Sequence, residues 1–598
     1  MLTDFHVITT FIETKRLIRS ATFKQIMSSV MQKKSSEGLS VISYRGSRAV
    51  LLAFDLDESK TDKLAGFSIH CITPNKDVHN TNEYCLPNQL DFEQPFTSDN
   101  ILNCTNKGGS DRRPFQLFHW IHFPSAGPGE YQYTIYAAYF NNNKIIHPGP
   151  KVTINVNLDD KLPFSKFDLG FTRGYVSSQA YVDKFDNKPI HPNPKSMDFD
   201  TTPYLEQYKW LGAHGRELIF DFLKQCQEDD SINLDVFSFD LSEPDIIRNL
   251  CNIGQRARVF QDDAKLHVGP GALEPKAIEA LTSAGVDLKT GHFHSLAHDK
   301  VFIQIKNGKA ISVLTGSTNF SIRGLYVQSN SVLVFNDMTV ASLYKQAFDQ
   351  AFNDEKKFDS SEIASKWHSV NSNGNSIPRM EISFAPHKTP QDQVPFSLDK
   401  VSNAIESAKS SVFYAIMAPE GGGPVMPALE NLAVNKNVFS LGIIDRQSQL
   451  ELFKGGSNAG TTAYASLERN IPQPFQKEMS SLEGGFGQVI HHKFVVCDFN
   501  DNNAVVFCGS SNLAKGGEQK NGDNLIAIYD QSISIAYAVE AIRLYDHYRF
   551  RSLQRQQAGG DGNGAVVLKS TDEWVKPFYS PTDIKFKERH LLANTHIT

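Results

Sequence analysis

The sequence predicts an α/β protein of two similar halves, preceded by a β-sandwich-like domain. Three observations carry this. Residues 41–160 hold several short strand-like runs with no helical pattern between them. After residue 160 strands alternate with helices, and the same order restarts near residue 380. The two α/β stretches also repeat one set of polar residues at one spacing.

A chain of 598 residues is longer than the roughly 250–300 residues at which a single core stops growing, so several domains are expected. We place a helical segment at 1–40, with its helix around Thr14–Lys33, and the β-sandwich-like domain at 41–160. One half then spans 161–375, the other 376–555, and a Gly-rich loop and C-terminal tail 556–598. In the β region the runs Ala49–Phe54, Phe67–Ile72, Phe118–Phe123, Tyr131–Tyr136 and Val152–Val156 read as strands, with turn-rich stretches such as Ser125–Gly129 between them. The first half reads as strand Phe167–Thr172, helix Leu211–Gln227, strand Leu234–Phe239, helix Pro244–Ile253, strand Ala257–Phe260 and helix Pro275–Ala284. The second reads as strand Glu381–Phe384, helix Leu398–Ala408, strand Ser411–Ile416 and helix Met426–Val434. This alternation implies a mostly parallel sheet covered on both faces. Ser369–Ser376 reads as a polar linker between the halves.

Hydrophobic residues make up 40% and charged residues 21%, with a net charge of −6. Such a balance lacks the basic excess of a protein that coats nucleic acid. The sequence shows no run near the ~20 apolar residues of a membrane span, and Met1–Thr10 lacks the basic start and apolar run of a secretory signal. The seven cysteines include no C-x-x-C pair, and Cys497 and Cys508 sit in apolar runs as small buried hydrophobes. A reducing, cytoplasmic setting is expected.

The repeated residues carry the chemistry. The first half contains His298-Asp-Lys300 and then Gly316-Ser317-Thr-Asn319; the second contains His491-His-Lys493 and then Gly509-Ser510-Ser-Asn512. In each, the Gly follows the His by 18 positions and the Asn by 21. At 32 positions stand Asn330 and Asp523, each just before an apolar strand. This shared register points to an internal duplication. A period of two puts His and Lys on one face of a strand. Lys can hold a phosphoryl oxygen, and His can attack phosphorus or move a proton. Gly lets the backbone turn, while Ser and Asn can face an anion. Two facing sets suit a two-step displacement: one His attacks, and the other protonates the leaving oxygen and then activates water. Lysines can offset the developing charge, so no metal or other cofactor is expected.

These motifs resemble the phospholipase D superfamily over roughly 160–550. The second half matches its His-x-Lys-x4-Asp pattern fully, through His491, Lys493 and Asp498, while Ile305 takes the Asp position in the first. The resemblance implies two phospholipase D-like α/β/α halves packed around one active site, and a phosphohistidine intermediate. Tyrosyl-DNA phosphodiesterases, which resemble this family, also lack the motif Asp and remain active. Asp523 matches a family acid that sits beside the catalytic His. The expected catalytic set is His298, Lys300, Asn319, His491, Lys493, Asn512 and Asp523, supported by Ser317, Ser510, Asp498, Asn330, Gly316 and Gly509. With Asp523 taken as the partner of His491, His491 is the expected nucleophile and His298 the acid/base.

Other residues carry weaker signals. His492 alternates to the opposite face and reads as structural. His292 and His294 read as a pocket-lining loop or, less favoured, a metal pair. Asp498 reads as a backbone-orienting group. Glu420–Pro424 and Lys515–Gly517 read as turns or substrate contacts, and Asp445–Arg446 as a salt bridge or an anion-binding rim. The expected partner is a phosphodiester: a phospholipid headgroup first, with peripheral membrane contact, and otherwise a nucleic acid or nucleic-acid end. A non-catalytic binding module and a cardiolipin-synthase-like transferase are the remaining readings. One chain holds both motif sets, so an oligomer is not required.

Overall fold

In the computed structural model of the protein the described residues are all but 1–29, 77–79, 100–103, 105, 125, 142–143, 160, 175–177, 194–195, 391, 418–420, 435–437, 446–459, 465–488, 559–566 and 594–598. The chain divides into two compact units, residues 1–163 with 566–598, and residues 164–565.

The first unit is a pair of β-sheets around a main core, with a smaller second apolar cluster. Its strands are β1 (Met31–Ser36), β2 (Leu39–Arg45), β3 (Val50–Leu56), β4 (Leu64–Ile72), β5 (Glu83–Cys85), β6 (Thr97–Ser98), β7 (His119–His122), β8 (Glu130–Phe140) and β9 (Ile145–Asn157). One sheet runs β1-β2-β3-β7 and the other β5-β4-β8-β9-β6. Period-two alternation supplies the core. Val152, Ile154 and Val156 of β9 are buried, and Lys151, Thr153 and Asn155 between them are exposed. They meet Leu52 and Phe54 of β3 and Phe67 and Ile69 of β4 in a single cluster.

Two expectations change here. Most of the helix at Thr14–Lys33 lies outside the described residues. From Met31 onward the chain is strand, because β1 pairs antiparallel with β2. Cys85 and Cys104 form a disulfide across 19 positions, a separation with no local pairing signal, and it removes the support for a reducing setting.

Residues 566–593 complete this unit. Trp574, Val575 and Phe578 belong to its core. Trp574 Nε1 donates to the Leu64 carbonyl at 2.9 Å, and Arg589 pairs with Asp55 at 2.6 Å. A mostly polar stretch thus carries three apolar anchors into the sandwich.

The second unit holds two sheets of matching topology. The first contains β10 (Phe167–Phe171), β11 (Ile232–Ser238), β12 (Ala257–Asp262), β13 (Asp287–Gly291), β14 (Val301–Lys306), β15 (Lys309–Gly316) and β16 (Ser331–Phe335). The second contains β17 (His368–Val370), β18 (Arg379–Ala385), β19 (Ser411–Ile416), β20 (Phe439–Ile444), β21 (Gly460–Tyr464), β22 (Lys493–Cys497), β23 (Val505–Gly509) and β24 (Asp523–Tyr529). Their orders are β10-β16-β15-β14-β11-β12-β13 and β17-β18-β24-β23-β22-β19-β20-β21. Apart from the extra edge strand β17, the two orders correspond strand for strand. Helices include 205–228 and 338–354 in the first half and 396–407, 425–434 and 531–558 in the second.

Neither sheet is mostly parallel. Only β11-β12-β13 and β19-β20-β21 run parallel; the other pairs are antiparallel. The reason is local. Helices link β11 to β12, β12 to β13 and β19 to β20, but β14 and β15 are joined by Asn307-Gly308, both at positive φ, the two-residue turn of a tight hairpin. The His-x-Lys and Gly-Ser-x-Asn segments flank that hairpin, and so lie at one end of the sheet. Among the described residues no helix is long and apolar enough to cross a membrane.

Phe578→Ala tests the role of the returning segment. Truncating a ring this buried should cost about 3–5 kcal/mol, read as an earlier urea transition of the β unit.

Candidate active site

The two halves meet through backbone bridges that are themselves duplicated. Ala297, just before His298, bridges to Gly522; Ile490, just before His491, bridges to Ser329. The His298 amide donates to the Gly522 carbonyl at 2.8 Å, and the His491 amide to the Ser329 carbonyl at 3.1 Å. Each histidine is thus hung on the other half. A carboxylate at the end of a parallel strand steadies each approach. Asp262 of β12 accepts from the Ala297 amide. Asp445, just after β20, accepts from the Val489 and Ile490 amides at 2.6 and 2.8 Å. Asp445 therefore braces the backbone; Arg446, the candidate rim arginine, lies outside the described residues.

The side chains cross in the same way. His298 Nδ1 faces Asp523 Oδ1 at 2.7 Å. His491 Nδ1 faces Asn330 Oδ1 at 2.8 Å and the Ser317 carbonyl at 3.0 Å. Asp523 is thus the partner of the first histidine, not the second, and the premise for choosing His491 as nucleophile fails. Spacing along the chain put Asp523 with His491; the cross-connection of the halves puts it with His298. Oxygen acceptors at each Nδ1 fix the proton there and leave Nε2 as the reactive nitrogen. Both imidazoles are held toward the neutral form, by burial first. Lys300 and Lys493 add to this at His298; Lys493, Lys300 and His298 add to it at His491.

The lysines are buried beside them. Lys300 donates to the His298 carbonyl and lies over the Phe239 ring, 4.9 Å from its centre. Lys493 donates to the His491 carbonyl at 2.8 Å and approaches Met417 Sδ at 3.7 Å. Burial pulls Lys300 down to about 8, against Asp523, Asp240 and Asp299. Burial likewise lowers Lys493, with Lys300 adding repulsion.

Gly316 and Gly509 share one conformation, φ +139° and +138°. A Cβ at Gly316 would lie 2.3 Å from the Ser331 carbonyl oxygen, and one at Gly509 2.4 Å from that of Asn524, so no other residue fits without moving the next strand. The serines after them do not face an anion as expected. Ser317 Oγ donates to Asn330 Oδ1 at 2.9 Å, which orients the amide that holds His491. Ser510 Oγ accepts from the Asn524 amide at 2.9 Å, and Asn524 in turn donates to Asp299 at 2.7 Å. Asn319 donates to Asp240 Oδ2 at 2.7 Å. The Oδ1 atoms of Asn319 and Asn512 are buried without a partner among the described residues.

Burial pushes Asp523 up to about 7, opposed by Lys300 and raised further by Glu518. Burial does the same to Asp299, with Asp523 adding repulsion. Two neighbouring carboxyls therefore hold protons more tightly than exposed ones would.

Asp498 stands apart. It follows β22, five residues beyond Lys493, about 16 Å at the strand rise. Its carboxylate accepts from the amides of Lys409, Ser410 and Ser411 and from Ser410 Oγ, at 2.7–3.2 Å. Ile305, at the same position in the first half, is packed in the core. His492 is fully buried, with Nε2 on Glu540 at 3.1 Å. His292 pairs with Asp263 and His294 with Asp359, so they share no ligand position. Gly421 and Gly422 accept from the amides of Gly516 and Lys515, so those two turns brace each other. Glu420 lies outside the described residues.

Sequence reasoning missed a group in the first half. His267 is clamped between Asp240 and Asp262, each at 2.7 Å. Burial opposes its protonation, yet hydrogen bonds to the two carboxylates raise it to about 9. The signal was weak: His298 follows Asp262 by 36 positions and His491 follows Asp445 by 46, so these carboxylates fall outside the repeat register.

A family model described as "Cardiolipin synthase, PLD-like domain" matches residues 219–352 and 401–545. Each matched segment contains one His-x-Lys pair and one Gly-Ser-x-Asn turn. The matched segments belong to the phospholipase D superfamily, whose members act on phosphodiesters. Among solved structures the chain is similar to phosphatidylserine synthase of Haemophilus influenzae, at 12% identity over 57% of this chain and 92% of that one, TM-score 0.38. It is also similar to yeast tyrosyl-DNA phosphodiesterase, at 12% identity over 50% and 83%, TM-score 0.30. For polyphosphate kinase of Porphyromonas gingivalis the identity is 11% over 56% of this chain, TM-score 0.36, and the chain spans 44% of that protein's length. No curated protein matches the chain.

Asp523 must be ionised to accept from His298, and Lys300 must be charged to hold a phosphoryl oxygen. Cleavage of a chromogenic phosphodiester should therefore rise as pH passes about 7 and fall above about 8. Asp523→Asn should flatten the acid limb and cost about 10²-fold in kcat/KM; an unchanged limb excludes Asp523 as its source. Asp498→Ala should lower stability by about 2 kcal/mol in urea, with kcat/KM of the folded protein preserved.

Proposed function

We propose that the chain is a metal-independent phosphodiesterase of phospholipase D type, which hydrolyses a phosphodiester through a phosphohistidine on His298. The crossed pairing of Nδ1 atoms carries this reading. In the intermediate both nitrogens of the attacking ring are substituted, so a full positive charge is stored on it. Asp523 at 2.7 Å can offset that charge; the neutral Asn330 beside His491 cannot. His298 is therefore the nucleophile and His491 the acid/base.

In the first step His298 Nε2 bonds to phosphorus, the ester bond to the leaving group breaks, and His491, doubly protonated once the phosphate anion sits beside it, gives its Nε2 proton to the departing oxygen. In the second, His491 takes a proton from water, the hydroxide attacks phosphorus and the P–N bond breaks. Lys300 and Lys493 hold the phosphoryl oxygens, and Asn319 and Asn512 complete the cradle. Gly316, Gly509, Ser317, Ser510 and Asn330 set the geometry. One chain supplies the whole site, so a second copy is not needed.

A phospholipid headgroup is the favoured substrate. The net charge of −6 leaves no basic excess to track the further phosphates of a polynucleotide. A nucleic-acid end is the second reading, favoured by Ile305 at the motif Asp position. The Cys85–Cys104 disulfide favours an oxidising compartment over the cytoplasm.

Trapping tests the assignment. With a labelled substrate bearing a good leaving group, His491→Asn should retain label on the protein and His298→Asn should not. Label on His298→Asn overturns the assignment of the nucleophile. Activity should persist with excess chelator, and phosphatidylcholine should be cleaved in preference to single-stranded DNA.

A further inference from the structure

We propose that the turn Lys265–Val268 is a membrane-contact element that seats the site on a phospholipid surface through Leu266 and Val268. This rests on the phospholipid reading above. Leu266 is 56% exposed and Val268 53%, the two highest values for large apolar side chains among the described residues. They flank His267, which is buried. Its Nε2 lies 2.7 Å from Asp240 and its Nδ1 2.7 Å from Asp262, and its ring meets the Phe239 ring edge to face, centroids 4.5 Å apart. Asp240 also holds Asn319, and Asp262 holds the amide next to His298. The turn is thus pinned to the site by its middle residue, and its two aliphatic neighbours face solvent.

An anchored apolar pair beside a phosphoryl site suits the boundary between headgroups and acyl chains. Lys265 in the same turn is exposed and can meet lipid phosphates. The segment after β18 leaves from Ala385, whose strand partner is Asp523, and it carries exposed Lys388 and Val394, the latter 37% exposed. A protein partner or second copy fits less well, since a few aliphatic side chains fall far short of the roughly 1,200 Å² of a stable interface.

The test separates binding from chemistry. The full chain carrying His298→Asn, so that lipid is not consumed, is floated with vesicles of phosphatidylcholine and phosphatidylglycerol. Adding L266D and V268D should lower the partition coefficient at least about tenfold. In the active protein the same pair should lower vesicle hydrolysis but leave cleavage of monomeric bis(p-nitrophenyl) phosphate near the parent value. L266W should add fluorescence that brominated acyl chains quench. Equal vesicle binding by the double variant and its parent overturns the proposal, as does a full chain that cleaves the soluble diester but binds no vesicles. Loop-dependent binding with no lipid cleavage upholds the contact element and overturns the phospholipid substrate instead.

Discussion

Two imidazoles held at Nδ1 from the opposite half organise the second unit. The charge-assisted bond from His298 to Asp523 contributes about 1.5–3 kcal/mol, but the larger effect of such a contact is geometric. It fixes the tautomer and aims Nε2, and it works only if the two sheets keep register across their junction. Much of the nearby structure serves that register. The backbone bridges at Ala297–Gly522 and Ser329–Ile490 join the halves, and Asp262 and Asp445 hold the chain ahead of each histidine. Gly316 and Gly509 let the neighbouring strands approach. Ser317 turns Asn330 toward His491.

The same frame explains why the halves are unequal. A carboxylate pairs with one histidine and an amide with the other, at equivalent positions and similar distances. Burying a second ionised carboxylate here would add to a site that already contains Asp240, Asp262, Asp299 and Asp523, against Lys300, Lys493 and the His267 imidazole. The amide keeps the geometry and omits the charge. The tight hold of Asp299 and Asp523 on protons is another response to the same crowding.

Much of the fold was legible because it rests on local patterns. The helix at Pro244–Ile253 and the strand at Ser411–Ile416 fall where apolar periodicity places them. The repeat register named the residues that converge. What it could not show was the crossing, because spacing along one half says nothing of which half supplies a partner. The mostly parallel sheet failed for a related reason: the alternation of strands and helices stops at the Asn307-Gly308 hairpin. His267 escaped notice since its partners lie on two different strand ends. The polar composition around Trp574 and Phe578 hid their place in the β core.

The β unit is made of two separated stretches of chain, with the whole second unit inserted between them. Trp574, Val575 and Phe578 fill a core whose other members lie before residue 160. During synthesis the sandwich therefore waits, its apolar interior unfinished, while some 400 residues emerge and can fold as a unit. The inserted enzyme is complete before its host domain is, and the host's closure becomes a late checkpoint in making the protein.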